Sequence, residues 1–274
     1  MNSIQLLTVI LPLLYFSASS LYGMAYAEDR QPTWAARAQR SVVIIAMALH
    51  VWLFLIHNRE SGEFPVQGIA LTVSAVALTT ALLFRVLTLR IPQPSVGTLV
   101  LGTVGCLQLV ASSFGPMVAT GSASPLDAVA ILHILMMVLA SAALILSGLY
   151  GWLHLLQYRQ MRRRVFGTLF RNLPSLESLS VMVRRTATAG FVCLTLGLNV
   201  GIGLGHARPE HEFKYRDPQV ILVTALWLHF GVIAFSRRIP GLNARRASTM
   251  AIGGLLALLT SLALMATNIS FHAS

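Results

Sequence analysis

Eight stretches of this chain are long and apolar enough to be solvated by hydrocarbon, and that repetition limits the fold more than any motif. They cover roughly residues 4–26, 41–57, 66–89, 96–114, 128–156, 187–205, 219–235 and 248–271. Spanning a bilayer as a helix takes about 20 mostly apolar residues. In lipid, every backbone N–H and C=O must be satisfied within a helix or around a closed barrel. Barrel strands alternate between lumen and lipid over about ten positions, and no stretch here alternates. The fold class is therefore all-α, a polytopic helical membrane bundle of about eight transmembrane helices.

Charge is scarce to match. Only 11% of the 274 residues are Asp, Glu, Lys or Arg, and 55% are hydrophobic, whereas soluble domains hold about 25% charged residues. No connection between the apolar stretches has room for a soluble domain, so residues 1–274 read as a single integral membrane domain.

The formal net charge of +11 would suit a nucleic-acid partner, until the cations are located. Arg30, Arg37 and Arg40 follow the first span, and Arg85 and Arg90 follow the third. Arg159, Arg162, Arg163, Arg164, Arg171, Arg184 and Arg185 follow the fifth, and Arg237, Arg238, Arg245 and Arg246 the seventh. The opposite side holds only Arg59, Arg208, Lys214 and Arg216. Sixteen against four is a positive-inside pattern. It implies a multi-pass protein of the cell inner (plasma) membrane with both termini outward, in the periplasm. The partner of the basic side is anionic membrane lipid, not nucleic acid. "AYAED" (25–29) resembles a signal-peptide cleavage site, but "MNSIQ" lacks a positive n-region, so the first span is expected to be retained.

Familiar chemistry is missing. Cys106 and Cys193 stand alone within spans, with no C-x-x-C and no C-x-x-C-H. There is no Walker loop, G-x-S-x-G or H-E-x-x-H, and no convincing inverted repeat. Every acid lies in a connection or at a span's edge, whereas proton pumps and cation carriers place acids at the midplane. With no acid, base and nucleophile constellation, the chain is not expected to be an enzyme. Two connections have local logic. Asp127 suits a cap before the fifth span. Leu176, Leu179 and Val183 share one helical face behind Pro174 and Glu177, which predicts a short interfacial helix.

Histidines are the main polar residues left inside the membrane, and an intramembrane imidazole is a functional hypothesis by default. At 1.5 Å per residue, His50 and His229 lie about 13 and about 10 Å from the inner surface and His133 about 8 Å from the outer one. His272 sits at the outer end of the last span; His57, His206 and His211 also face outward, and His154 lies near the inner surface. Two readings stand. Each histidine makes one interhelical hydrogen bond, worth about 1 kcal/mol; or some ligate haem iron, with His50 and His229 forming a deeper pair. Zinc would more often recruit cysteine or carboxylate.

"LDAVAILHILMMVLASAALILSGLYGWLHLLQYRQM" (126–161) resembles a helix of the cytochrome c assembly protein family, opening with a histidine and ending in a basic interior connection. "LPSLESLSVMVRRTATAGFVCLTLGL" (173–198) resembles that family's next block, and "NISFHAS" (268–274) its last-helix ending. The likeness covers about residues 40–273 and is greatest to the small, YpjD-like inner-membrane branch. It implies an outward haem held by His133 and His272 as axial ligands. The family's haem-export members carry a tryptophan-rich segment between these histidines, ending in Trp-Asp-Pro. Here "EFKYRDPQ" (212–219) keeps Asp217 and Pro218 but has Lys214 and Arg216 where tryptophans would stand.

The connection "GHARPEHEFKYRDP" (205–218) has three readings of its own. His206, Glu210, His211 and Glu212 could bind a divalent cation, though the spacing matches no metal signature. Arg208, Lys214 and Arg216 could clasp haem propionates through charge-assisted hydrogen bonds. Or the segment is a solvated connector. The functional expectation is a haem-binding, haem-handling protein related to c-type cytochrome assembly, acting as relay or accessory alongside other maturation proteins. The alternative is a non-haem accessory or regulator of divalent-cation transport on the same fold.

Overall fold

The computed structural model describes residues 3–27, 33–61, 68–88, 94–114, 127–164, 167, 170, 172–207 and 217–266. Among them are eight long helices and no strand: α1 (Ser3–Ala27), α2 (Thr33–Ser61), α3 (Ile69–Thr88), α4 (Pro94–Ser113), α5 (Ala128–Arg162), α6 (Leu176–Ala207), α7 (Pro218–Ala234) and α8 (Ala244–Ala266). Each falls on one of the eight apolar stretches. Six, α1 to α6, are long and apolar enough to cross a membrane. α7 is apolar but has 17 residues, and α8 has 23, with its only charges, Arg245 and Arg246, at its start. The chain is a multi-pass membrane protein. Large side chains such as Val9, Leu13, Val86, Leu228 and Leu256 stand exposed on the helices, as lipid-facing positions require.

The helix starts follow from capping chemistry. Asp127 Oδ1 accepts the N–H of Ala130 at 2.6 Å, as expected of a cap before α5. Asp217 Oδ1 takes the N–H of Gln219 at 2.8 Å, with Pro218 as the first helical residue of α7. Asn243 caps α8 through the N–H of Arg246.

The expected interfacial helix is not separate. Leu176–Ala207 is one helix of 32 residues, because no Gly or Pro interrupts the run from Leu176 to Ala189. The apolar face of Leu179 and Val183 is real but buried. It packs on α5, where Ser147 Oγ donates to the carbonyl of Val183 at 3.0 Å.

Where the sequence suggests one membrane domain, backbone contacts form two compact units, Met1–Pro125 with Leu156–Leu176, and Leu126–Leu155 with Glu177–Ser274. In the first unit α1 and α4 run antiparallel, with Tyr22, Ser19 and Phe16 seated over Gly97, Gly102 and Gly105 in reverse order. Small residues let helix backbones approach where lipid offers no hydrophobic drive to associate. Pro12 lies inside α1 and has no N–H for the carbonyl of Thr8. Ser112 Oγ of α4 shares its hydrogen between that carbonyl at 2.7 Å and the carbonyl of Gln108 at 2.8 Å.

In the second unit α5 and α6 are likewise antiparallel. His133, Met137 and Leu144 of α5 meet Gly201, Gly197 and Gly190 of α6 in reverse order. On α8, Leu255 and Ser248 face Gly148 and Gly151 of α5. Phe191 of α6 stacks on Trp227 of α7, whose Nε1–H donates to Thr195 Oγ1 at 2.8 Å.

Candidate functional site

In the second unit a pocket of about 260 Å³ is lined by His133, Met137, Leu198, Gly201, Ile202, Gln219, Val220 and Val223. His133 and Met137 are one helical turn apart on α5, so both reach the same wall. Gln219 enters from the first turn of α7, where the Asp217 cap fixes the start of the helix. His133 Nδ1 lies 2.7 Å from the carbonyl oxygen of Gly197. A carbonyl only accepts, so Nδ1 carries the hydrogen. Nε2 then holds the lone pair of the neutral ring and has no hydrogen-bond partner among the described residues. This is the arrangement in which imidazole serves as a metal ligand, one nitrogen tied to a carbonyl and the other bare. The rest of the lining is apolar apart from Gln219. One open imidazole nitrogen beside an apolar wall is donor chemistry that suits haem iron.

The first unit contains a different polar assembly. Tyr15 Oη and His50 Nδ1 are 3.0 Å apart, His50 Nε2 and Ser74 Oγ 2.8 Å, and Ser74 Oγ donates to Gln108 Oε1 at 2.8 Å. These residues come from α1, α2, α3 and α4, one from each, and none has exposed surface. Since the Ser74 hydrogen goes to Gln108, Ser74 accepts from His50 Nε2–H, and Nδ1 accepts the Tyr15 phenol. The chain is directional. It ends on Gln108 Nε2, which has no hydrogen-bond partner among the described residues.

The other expected site residues fall out as follows. His50 has both nitrogens engaged by protein, so neither is available to iron in this arrangement. His229 Nε2 donates to the carbonyl of Met250 on α8 at 2.8 Å, entirely within the second unit. Of the expected deep pair, hydrogen bonding engages both nitrogens of His50 and one of His229. His154 Nδ1 lies 3.0 Å from Ser248 Oγ. His272, Arg208 and Arg216 lie outside the described residues, as do Glu210, His211, Glu212 and Lys214. Among the described residues no three His, Cys, Asp or Glu side chains converge as a metal site.

Sequence reasoning missed Met137 and Gln219 as pocket residues and Tyr15, Ser74 and Gln108 as partners of His50. One signal was readable: Gly197 and Gly201 stand in the small-x-x-x-small spacing that lets another helix approach closely. Residues 13–272 match the family model described as Cytochrome C assembly protein. The match begins inside α1, ahead of the core marked out by the quoted motifs. No curated protein and no solved structure matches the chain.

Proposed function

The chain belongs to the cytochrome c assembly protein family, and from that membership together with the His133 geometry we propose that it binds haem as cargo at an outward-facing site. Membership supports a role in the biogenesis of c-type cytochromes. The finer reading is a relay or accessory that holds haem between other maturation proteins, without covalent catalysis.

The observation that carries this reading is the state of His133. Its ring is held by Nδ1–H on the Gly197 carbonyl, with Nε2 unengaged on a side chain that lines an apolar pocket. His133 would supply one axial ligand. His272 would supply the second, a role taken from the resemblance in sequence, and Arg208 and Arg216 would pair with the propionates, a role taken from the charge of the 205–218 connection. Haem brings iron with two axial positions to fill; the chain orients the imidazole and shields the macrocycle with Met137, Leu198, Ile202, Val220 and Val223.

Absorption spectroscopy of the detergent-purified protein after haemin addition tests the proposal. A Soret band is expected for the wild type, shifted or lost in His133→Ala and in His272→Ala. A wild type with no Soret band, or one indistinguishable from the double variant, would sink it.

A further inference from the structure

We infer that Gly201 is a positioning residue for His133, and that with the carbonyl of Gly197 it fixes which ring nitrogen is offered to the pocket. The inference rests on the reading of His133 as a ligand. An ideal Cβ at Gly201 would lie 2.6 Å from His133 Cε1 and 2.9 Å from Nδ1. No real methyl group sits that close, so the imidazole lies directly on the α6 backbone, in space that any side chain at 201 would fill. One turn earlier, the Gly197 carbonyl receives Nδ1–H at 2.7 Å. The ring is therefore defined twice, in position by the missing side chain and in tautomer by the carbonyl.

The chemical consequence concerns the lone pair. A neutral imidazole has one N–H, and free in water it moves between the two nitrogens. In the neutral ring, holding it on Nδ1 leaves the lone pair on Nε2 and makes that nitrogen a better electron donor, as partners behind metal-bound histidines do. A ring pushed off Gly201 loses the carbonyl at the same time, because the same short approach makes both contacts. Gly203 is the internal control, since nothing lies within 4 Å of a Cβ there.

The first readout is haem-free. The ¹⁵N spectrum of histidine-labelled protein should show His133 with a protonated Nδ1 and a bare Nε2, assigned by its loss in His133→Ala. Gly201→Ala should abolish that pattern and Gly203→Ala should keep it. The second readout is haemin titration and potentiometry. Gly201→Ala should weaken binding about tenfold or more and raise the iron potential, while Gly203→Ala changes neither. A wild-type His133 protonated at Nε2 overturns the inference without any variant, so the test survives a Gly201→Ala protein that does not fold. A Gly201→Ala protein with the wild-type pattern overturns it too. If the nitrogen pattern behaves as expected but no protein binds haemin, the positioning stands and the ligand assignment falls.

Discussion

The Tyr15 phenol donates to Nδ1 of His50 at 3.0 Å, and the direction of that bond is set two residues away. Ser74 has one hydrogen, which goes to Gln108, so it can only accept from His50 Nε2. The four side chains form a one-way chain through four helices. In a lipid-facing unit such a chain specifies helix register, because rotating any helix leaves a polar group buried without a partner.

Tyr15→Phe keeps the ring volume and removes only the hydroxyl. His50 Nδ1 is then a buried acceptor with no donor, a loss of about 1–3 kcal/mol. Chemical unfolding of the purified protein in mild detergent should show that decrease. An unchanged midpoint would mean that the phenol contributes nothing.

The two far members of the chain are not equivalent. Ser74→Ala strands both His50 Nε2–H and Gln108 Oε1. Gln108→Met strands only the Ser74 hydroxyl, and it removes the amide nitrogen that already lacks a partner. Ser74→Ala should therefore destabilise more than Gln108→Met, although Gln108 is the larger residue. Paired melting curves decide the order, and the reverse ranking would contradict the assigned directions.

How much of this was legible beforehand depends on what each feature rests on. Helix positions follow from apolar length, and all eight appear where the hydropathy placed them. The caps at Asp127 and Asp217 are local chemistry and were readable for the same reason. The join of residues 176–186 to the sixth span was not read, because a basic pair, Arg184 and Arg185, looks like a boundary while helix geometry permits it to continue. Depth along the spans marks both His133 and His50, and the family motif adds the ligand role of His133, but depth gives no partners. Tyr15, Ser74 and Gln108 lie 24 to 58 residues from His50 in sequence, and only tertiary packing makes them its neighbours.

Glycine packing gives a contrast within the second unit. A Cβ at Gly151 would lie 2.8 Å from the backbone oxygen of Ser248, which cannot swing aside as a side chain can. Gly151→Ala should therefore force α5 and α8 apart, disturb the His154–Ser248 bond and destabilise by about 1–3 kcal/mol. Gly253, on α8, has nothing within 4 Å, and Gly253→Ala should be neutral or stabilise by up to about 1 kcal/mol through helix propensity. Equal effects from the two would argue against the close α5–α8 approach.

The proposed site also requires a direction. The distribution of arginines predicts that residues 115–126 face outward and residues 163–175 inward, which puts the His133 end of α5 outside. With Cys106 and Cys193 replaced by serine, a membrane-impermeant thiol reagent added to intact spheroplasts should label Ser124→Cys and spare Arg163→Cys. The opposite pattern would place the His133 pocket on the cytoplasmic side.

The last expectation concerns Pro12 and Ser112, which compensate for each other across α1 and α4. Proline leaves the carbonyl of Thr8 without its intrahelical donor, and Ser112 Oγ lies 2.7 Å from it, with a hydrogen shared with the Gln108 carbonyl at 2.8 Å. Ser112→Ala alone should cost about 1–3 kcal/mol, the penalty for a carbonyl left unpaired in an apolar setting. Pro12→Ala restores an N–H to the helix, so Thr8 no longer depends on α4. In that background Ser112→Ala should cost markedly less. A double-mutant cycle measures this as a coupling free energy of about 1 kcal/mol between residues a hundred positions apart. Simple additivity would mean that the serine acts on something other than the gap left by the proline.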